Sequence, residues 1–328
     1  MASPGQSSLF TAFTELVSTT YRNHRKTVAD NTSKHNALFR RLTEKGRVRI
    51  EDGGLSIVEP LDYQANSTYQ RYSGYDVLNI NAVDVLTAAE YPWRQIAVNV
   101  AASGLELRTN AGAQRIINFT KAKITNAQRS LANGMSVDIY SDGTAANQIN
   151  GLQAIVADSG QGTVGGINAA TWAFWQNLVQ SAAAPIQGGG AITPSATTIE
   201  SLMQPTWVKL TRGTDMPDMI VMSDDYFGMY EMSQTSLKRY APEDNGQGGM
   251  ISMKYKNADV FFDSSGGIPA GHAYFLNTDY LELVAHRDAN MTMEDELRSV
   301  NQDAVVIPIL WQGNLVCSAR FLQGAMHA

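Results

Sequence analysis

A single cysteine, Cys317, occurs in 328 residues, so no disulfide can form within the chain and the fold rests on packing alone. Such sparing use of cysteine suits a reducing compartment. No window approaches the roughly 18 consecutive apolar residues of a membrane-crossing helix. The opening MASPGQSSLFTAF also lacks the basic region and apolar run of a secretory signal. Neither a membrane-spanning nor a conventionally secreted chain is expected, and the sequons at Asn31, Asn66, Asn118 and Asn290 then carry no glycosylation meaning.

Charge is scarce as well. Asp, Glu, Lys and Arg make up 17% of the residues, against about 25% in ordinary soluble domains. A surface so rich in uncharged groups suits a subunit that buries much of itself against neighbours. The net charge of -6 does not suggest a dedicated nucleic-acid binder, whose domain is usually basic. With 44% hydrophobic residues the chain is globular, long enough for about two domains, and not a disordered tail.

What charge there is lies unevenly. Residues 22–49 carry +7, from nine basic side chains against Asp30 and Glu44, which leaves -13 on the remainder. Two readings stand: contact with nucleic acid or an acidic partner, or a plain solvated face. Ahead of this arm, Ser7 and Ser8 precede Leu9, Phe10, Phe13, Leu16 and Val17, whose spacing predicts an amphipathic helix.

From about Arg47 to Glu90, short β-type runs (VRI, LSIV, YDVLNI) are broken by Asp52-Gly53-Gly54, Pro60 and Ser73-Gly74, predicting an extended two-stranded excursion. Tyr63, Tyr69, Tyr72 and Tyr75 sit there among polar residues instead of in an apolar stripe, which suits a contact surface better than a core. A loop with incidental aromatics is the alternative. Between Ala111 and Asn133, Ile117, Ile124 and Leu131 recur every seven residues, predicting a long helix with one buried stripe that stops at Gly134. From Gly151 on, the β run LQAIVAD, a helix TWAFWQNLV, the turn segment GGGAITPSATT and the strand DMIVMS with DYFGMYEMS after it lead to the runs NADVFFD, HAYFLNTDYLELVAH, DAVVIPILW and NLVCSARF. The mixture is α+β without a regular βαβ period.

Chemical motifs are nearly absent. Gly160-x-Gly162-x-x-Gly165 matches a dinucleotide fingerprint, but no helix begins at its third glycine and no acidic residue follows about 20 positions on, so a glycine-rich turn is the simpler reading. The five histidines show no metal-binding spacing, and Cys317 in the apolar run NLVCSA reads as a buried thiol. No nucleophile elbow or phosphate-binding loop occurs. The pattern favours a structural protein, with no catalytic residue, cofactor or metal.

The segments GLQAIVADSGQGTVGGINAATWAFWQN (151–177), YKNADVFFDSSGGIPAGHAYFLNTDYLELVAHRD (255–288) and ILWQGNLVCSARFLQGAM (309–326), together with the order of basic arm, β excursion, long helix and α+β body, resemble the major capsid proteins of tailed bacteriophages. The resemblance spans nearly the whole chain and implies the Hong Kong 97-like capsid fold. Residues 1–46 would form an N-arm and 47–92 the extended β-hairpin loop lying over a neighbouring subunit. Residues 93–150, with a spine helix at 111–134 and completion by about 283–312, would form the peripheral domain; 151–282 and 313–328 would form the axial domain.

The same resemblance implies an icosahedral shell of hexamers and pentamers, assembled in the bacterial host cytoplasm around double-stranded DNA held without sequence-specific binding. Leu55, Ile57, Tyr63, Tyr69, Tyr72, Tyr75, Phe10, Phe13, Arg40 and Arg41 are its candidate subunit-interface residues. Some family members link their subunits through a loop lysine. Here no lysine lies between Lys45 and Lys121, so a non-covalent shell is expected, reinforced if at all by a cement protein. The sequence starts almost directly with the N-arm, which is expected to leave no room for a long fused scaffold, so a separate scaffolding protein and a portal are the expected partners, and no membrane. A cellular compartment shell of the encapsulin kind, or an enzyme with an unrecognised site, is the alternative.

Overall fold

The computed structural model describes residues 36–109, 113–234, 252–263, 266–295, 297–298 and 301–328. Asn36 begins the first helix by accepting the Phe39 N–H on its side chain at 2.8 Å. Helix α1 (Ala37–Glu44) follows, then β1 (Val48–Glu51), β2 (Ile57–Asp62), β3 (Leu86–Tyr91) and β4 (Arg94–Ser103). Next come α2 (Gly104–Thr109), α3 (Ala113–Asp138), α4 (Leu152–Ile155), β5 (Thr163–Val164), β6 (Ile167–Asn168) and β7 (Leu178–Ser181). Then follow α5 (Ile199–Leu210), β8 (Met219–Met222), α6 (Asp224–Ser233), β9 (Ser252–Tyr255), β10 (Ala258–Phe262) and β11 (His272–Leu276). The chain closes with β12 (Leu281–Met293), β13 (Leu297–Arg298), β14 (Ala304–Cys317) and β15 (Gly324–His327). The fold is α+β, and it divides into two compact units, each drawn from separated stretches of chain.

Among the described residues, the larger unit comprises 36–95, Met135–Asp288 and Gln312–Ala328. Its centre is a six-stranded sheet in the order β7-β15-β11-β8-β10-β9. All of Met219–Met222 is buried, as is nearly all of Ala258–Phe262, because these paired parallel strands are covered on both faces. Helix α5 packs here through Ile199, Leu202, Met203, Thr206, Trp207 and Leu210, a stripe at helical spacing. Pro205 lies within that helix and cannot donate to the Ser201 carbonyl; Gln187 Nε2 supplies that bond instead at 3.2 Å. Helix α1 is tied to the same unit by Asn36 Nδ2 to Ser136 O at 3.0 Å and by its Ala37 N–H to Asp263 at 3.4 Å.

The smaller unit contains Ile96–Gly134 and Ala289–Trp311. Val98 and Val100 on β4 and Ile307 and Ile309 on β14 pack with Ile124 and Ala127 of α3. Lys123 Nζ, from the same helix, donates to Glu106 at 2.9 Å and to the Ala101 carbonyl at 2.7 Å.

Several local expectations are corrected. Helix α3 does not stop at Gly134 but continues to Asp138, since Gly134 keeps helical geometry and the buried Met135 extends the apolar stripe. LQAIVAD is no strand: Leu152 and Ile155 are buried one helical turn apart in α4. TWAFWQNLV forms only a 3-10 turn at Ala173–Trp175, because Trp175 is fixed by Nε1 to Val164 O at 3.0 Å and Leu178–Ser181 is drawn into the sheet beside β15. HAYFLNTDYLELVAH is split by a 3-10 turn at Thr278–Tyr280, where Asn277 accepts the Asp279 N–H. VRI joins no hairpin; it pairs in parallel with β12, Val48 opposite Leu283. YDVLNI forms no strand at all.

Candidate assembly surfaces

Strands β2 and β3 pair antiparallel from Ile57 opposite Tyr91 to Asp62 opposite Leu86. Ile57 and Leu61 turn inward on β2, while Val58 and Pro60 face out. Beyond Asp62 the chain runs through residues 63–85 without regular structure. Tyr75 is 106% exposed, Val77 92% and Ile80 91%, with Tyr69 and Tyr72 also open to solvent. So many large apolar side chains in one exposed segment mark a surface awaiting a partner.

The candidate interface residues therefore separate. Leu55, Tyr69, Tyr72 and Tyr75 are exposed. Ile57 is fully buried within its own subunit. Tyr63 packs inward on Trp172 and Phe174, with ring centroids 5.9 and 5.8 Å away, and so anchors the root of the loop. Phe10 and Phe13 lie outside the described residues. Val77, Leu78 and Ile80, expected in a strand, belong to the exposed set; three branched residues within four positions are the sequence signal, and the missing strand partner leaves none.

The described part of the basic segment, Arg40 to Arg49, is largely engaged within the chain. Arg41 reaches Asp218 at 3.3 Å and Asp259 at 3.4 Å; Lys45 reaches Asp218 at 3.0 Å and Asp279 at 3.2 Å. Arg47 pairs with Asp279 and Glu282, and Arg49 with Glu51, Glu59 and Glu282. Lys45 and Arg47 together hold the Asp279 carboxyl below its usual range, against the opposing effect of its partial burial. Among the described residues, Arg40 makes only an i,i+4 pair with Glu44 at 2.7 Å.

The glycine motif serves the loop root. Gly160, Gly162 and Gly165 all have positive φ and shape the turn around the β5–β6 hairpin. The Gly165 carbonyl accepts the Glu90 N–H at 2.9 Å, tying that hairpin to β3. Arg320, fully buried, donates to the carbonyls of Ile155 at 2.7 Å and Gln161 at 3.3 Å and to Asn177 Oδ1 at 3.0 Å, joining α4, the glycine turn and the residue that precedes β7. Burial pushes the Cys317 thiol up to about 12, so it remains protonated. Among the described residues no group of three or more His, Cys, Asp or Glu could hold a metal ion, and no helix is long and apolar enough to cross a membrane.

The fold is that of the tailed-phage capsid proteins, the Hong Kong 97-like class. Among solved structures, the cyanophage A-1(L) capsid subunit superposes with a TM-score of 0.69 at 16% identity, covering 92% of this chain and 95% of that one. The capsid subunit of a native GTA particle gives 0.57 at 12% identity over 93% and 95%, and a chain from Mycobacterium phage Bobi 0.53 at 10% over 94% and 97%. No family model and no curated protein matches the chain.

Proposed function

We propose that this chain is the major coat subunit of a tailed phage, assembling as hexamers and pentamers into an icosahedral shell around double-stranded DNA. The observation that carries the reading is the end-to-end likeness to the cyanophage capsid subunit, over 92% of this chain and 95% of that one. The projecting loop supports it, because its exposed apolar residues suit contact with a second copy. In this reading 1–46 is the N-arm, 47–92 the extended loop, 93–150 with about 283–312 the peripheral domain, and 151–282 with 313–328 the axial domain.

A shell of many copies closes when each contact is modest and one chain tolerates two environments, which a loop without regular structure allows. The -13 carried outside residues 22–49 suits a container, since a strongly basic wall would retain its DNA. A separate scaffolding protein, a portal and a cement protein are the partners proposed, with assembly in the host cytoplasm. With no lysine between Lys45 and Lys121 to donate a cross-link from the loop, the shell is held non-covalently, and mature particles should give one subunit band on a denaturing gel.

The test is expression of the full chain, alone and with its scaffold, followed by negative-stain microscopy and light-scattering mass. Closed shells or capsomer rings are expected. A discrete small oligomer in both preparations would overturn the reading.

A further inference from the structure

Residues 63–85 form no strand, yet their two arms are held together. Gln70 donates Nε2–H to the Val77 carbonyl at 3.1 Å and accepts the Asn79 N–H on Oε1 at 3.2 Å. One side-chain amide thus offers a donor and an acceptor to positions i and i+2 of an extended segment, the two bonds that a residue on a neighbouring β-strand would offer. Nearer the root, Gln64 Nε2 donates to the Asp84 carbonyl, and the Tyr63 N–H donates to Val85 O at 3.0 Å. At the tip, Asp76 accepts the Ser73 N–H on its carboxylate at 2.8 Å and returns its own N–H to Ser73 O at 3.2 Å.

We propose that Gln70 is a positioning residue for assembly: its amide stands in for a strand partner and holds residues 77–80 extended, so that Val77, Leu78 and Ile80 are presented together to a second copy of this chain. The identity of that occupant rests on the coat-subunit reading; the pin itself does not. A complete hairpin ladder across residues 63–85 would occupy the main chain of both arms and stiffen the loop. A single side chain fixes the segment before contact, which lowers the ordering cost of association. It can also let go for no more than the net cost of ordinary exposed hydrogen bonds when hexamer and pentamer neighbours differ.

The experiment compares wild type, Gln70→Ala and Gln70→Glu as full chains kept unassembled, reading millisecond hydrogen exchange over residues 77–81, and then follows assembly by light scattering. In Gln70→Ala, exchange at Asn79 should rise about tenfold, the change that one ordinary hydrogen bond supplies. Assembly should slow while the thermal midpoint of the free subunit stays put, because the hydrogen bonds of Gln70 run to Val77 and Asn79 of the same exposed loop. Gln70→Glu keeps the acceptor for Asn79 N–H and loses the donor to Val77 O, so its Asn79 amide should stay protected. Unchanged exchange in Gln70→Ala would overturn the pin, and faster exchange with unaltered assembly would overturn its positioning role. Failure of the wild-type chain to form any shell would instead sink the coat-subunit reading, with the exchange comparison still deciding whether Gln70 holds the loop.

Discussion

The Tyr91 hydroxyl donates to the Cys317 carbonyl at 2.9 Å and accepts the Cys317 N–H at 3.3 Å, closing both main-chain groups at the end of β14 with one side chain. Tyr91 is fully buried, and burial holds its hydroxyl protonated far above the usual tyrosine range. This contact joins the last residue of the loop's second strand to the strand entering the C-terminal segment. Asn314 reinforces it by donating to Pro92 O at 2.9 Å while accepting the Asn150 N–H at 2.8 Å.

Replacing Tyr91 with Phe keeps the ring and removes both bonds, leaving dry main-chain groups without that partner. The expected cost is about 1–3 kcal/mol, the penalty for unsatisfied buried polar groups. Urea denaturation of the unassembled subunit checks it, and an unchanged midpoint would show that the hydroxyl contributes nothing.

Gly165 and Gly162 provide a matched pair. Both have positive φ, but a Cβ at 165 would lie 2.7 Å from Ala89 Cβ and 3.2 Å from the Tyr91 ring, whereas a Cβ at 162 meets nothing within 4 Å. Gly162→Ala should incur backbone strain alone, about 1–3 kcal/mol. Gly165→Ala should add overpacking of about 1–3 kcal/mol more and loosen the hairpin from β3. Equal thermal midpoints for the two variants would refute close packing at Gly165.

The same positions show which parts of the fold are legible in sequence. The seven-residue recurrence in the sequence marks α3, and Ile124, Ala127 and Leu131 lie on its covered face. The glycines read as a turn because only a turn uses such spacing here. Helix α5 stays hidden, since Pro205 mimics a helix breaker and the compensating Gln187 lies 14 residues from Ser201. The exposed tyrosines are legible from their polar neighbours. Ile57 is not: Leu55 and Ile57 would share a face on a strand, but β2 starts at Ile57, so one is bare and the other buried. The acids that neutralise Arg41 lie more than 170 residues along the chain, beyond any local pattern.

Adjacent arginines should therefore behave differently. Arg40→Gln removes one exposed helical pair and should change stability by less than about 0.5 kcal/mol. Arg41→Gln withdraws a cation from Asp259, which is only 6% exposed, and from Asp218, which also accepts the Thr278 N–H at 2.6 Å. A loss of about 1–3 kcal/mol is expected. If Arg41→Gln lowers particle yield while the subunit melts like wild type, the arginine acts in assembly or on DNA and not through this ion pair.

His272 gives the chain a pH-dependent contact. Its Nε2 lies 3.0 Å from Asp158 Oδ2, its Nδ1 lies 2.8 Å from the Ala270 carbonyl, and its ring stacks on His327 at 5.8 Å. The hydrogen bond with Asp158 is the largest influence raising His272 above 6.5, and Asp225 adds to it, against the lowering effect of burial. The same bond is the largest influence lowering Asp158 below 3.8, with His327 contributing in the same direction. A raised histidine contributes stability that is complete below its unfolded value and fades as pH climbs through its folded one; a lowered carboxyl contributes above its unfolded value and fades in acid. The pair is therefore strongest between about pH 4 and 6.5 and declines on the alkaline side. Because Asp158 is half exposed, the effect belongs to the scale of surface pairs, about 0.2–1 kcal/mol. Asp158→Asn should melt below wild type near pH 5.5 and converge with it near about pH 8.5, as His272 loses its proton in both proteins. A gap between the two melting curves that stays constant across that range would show that the histidine's charge plays no part.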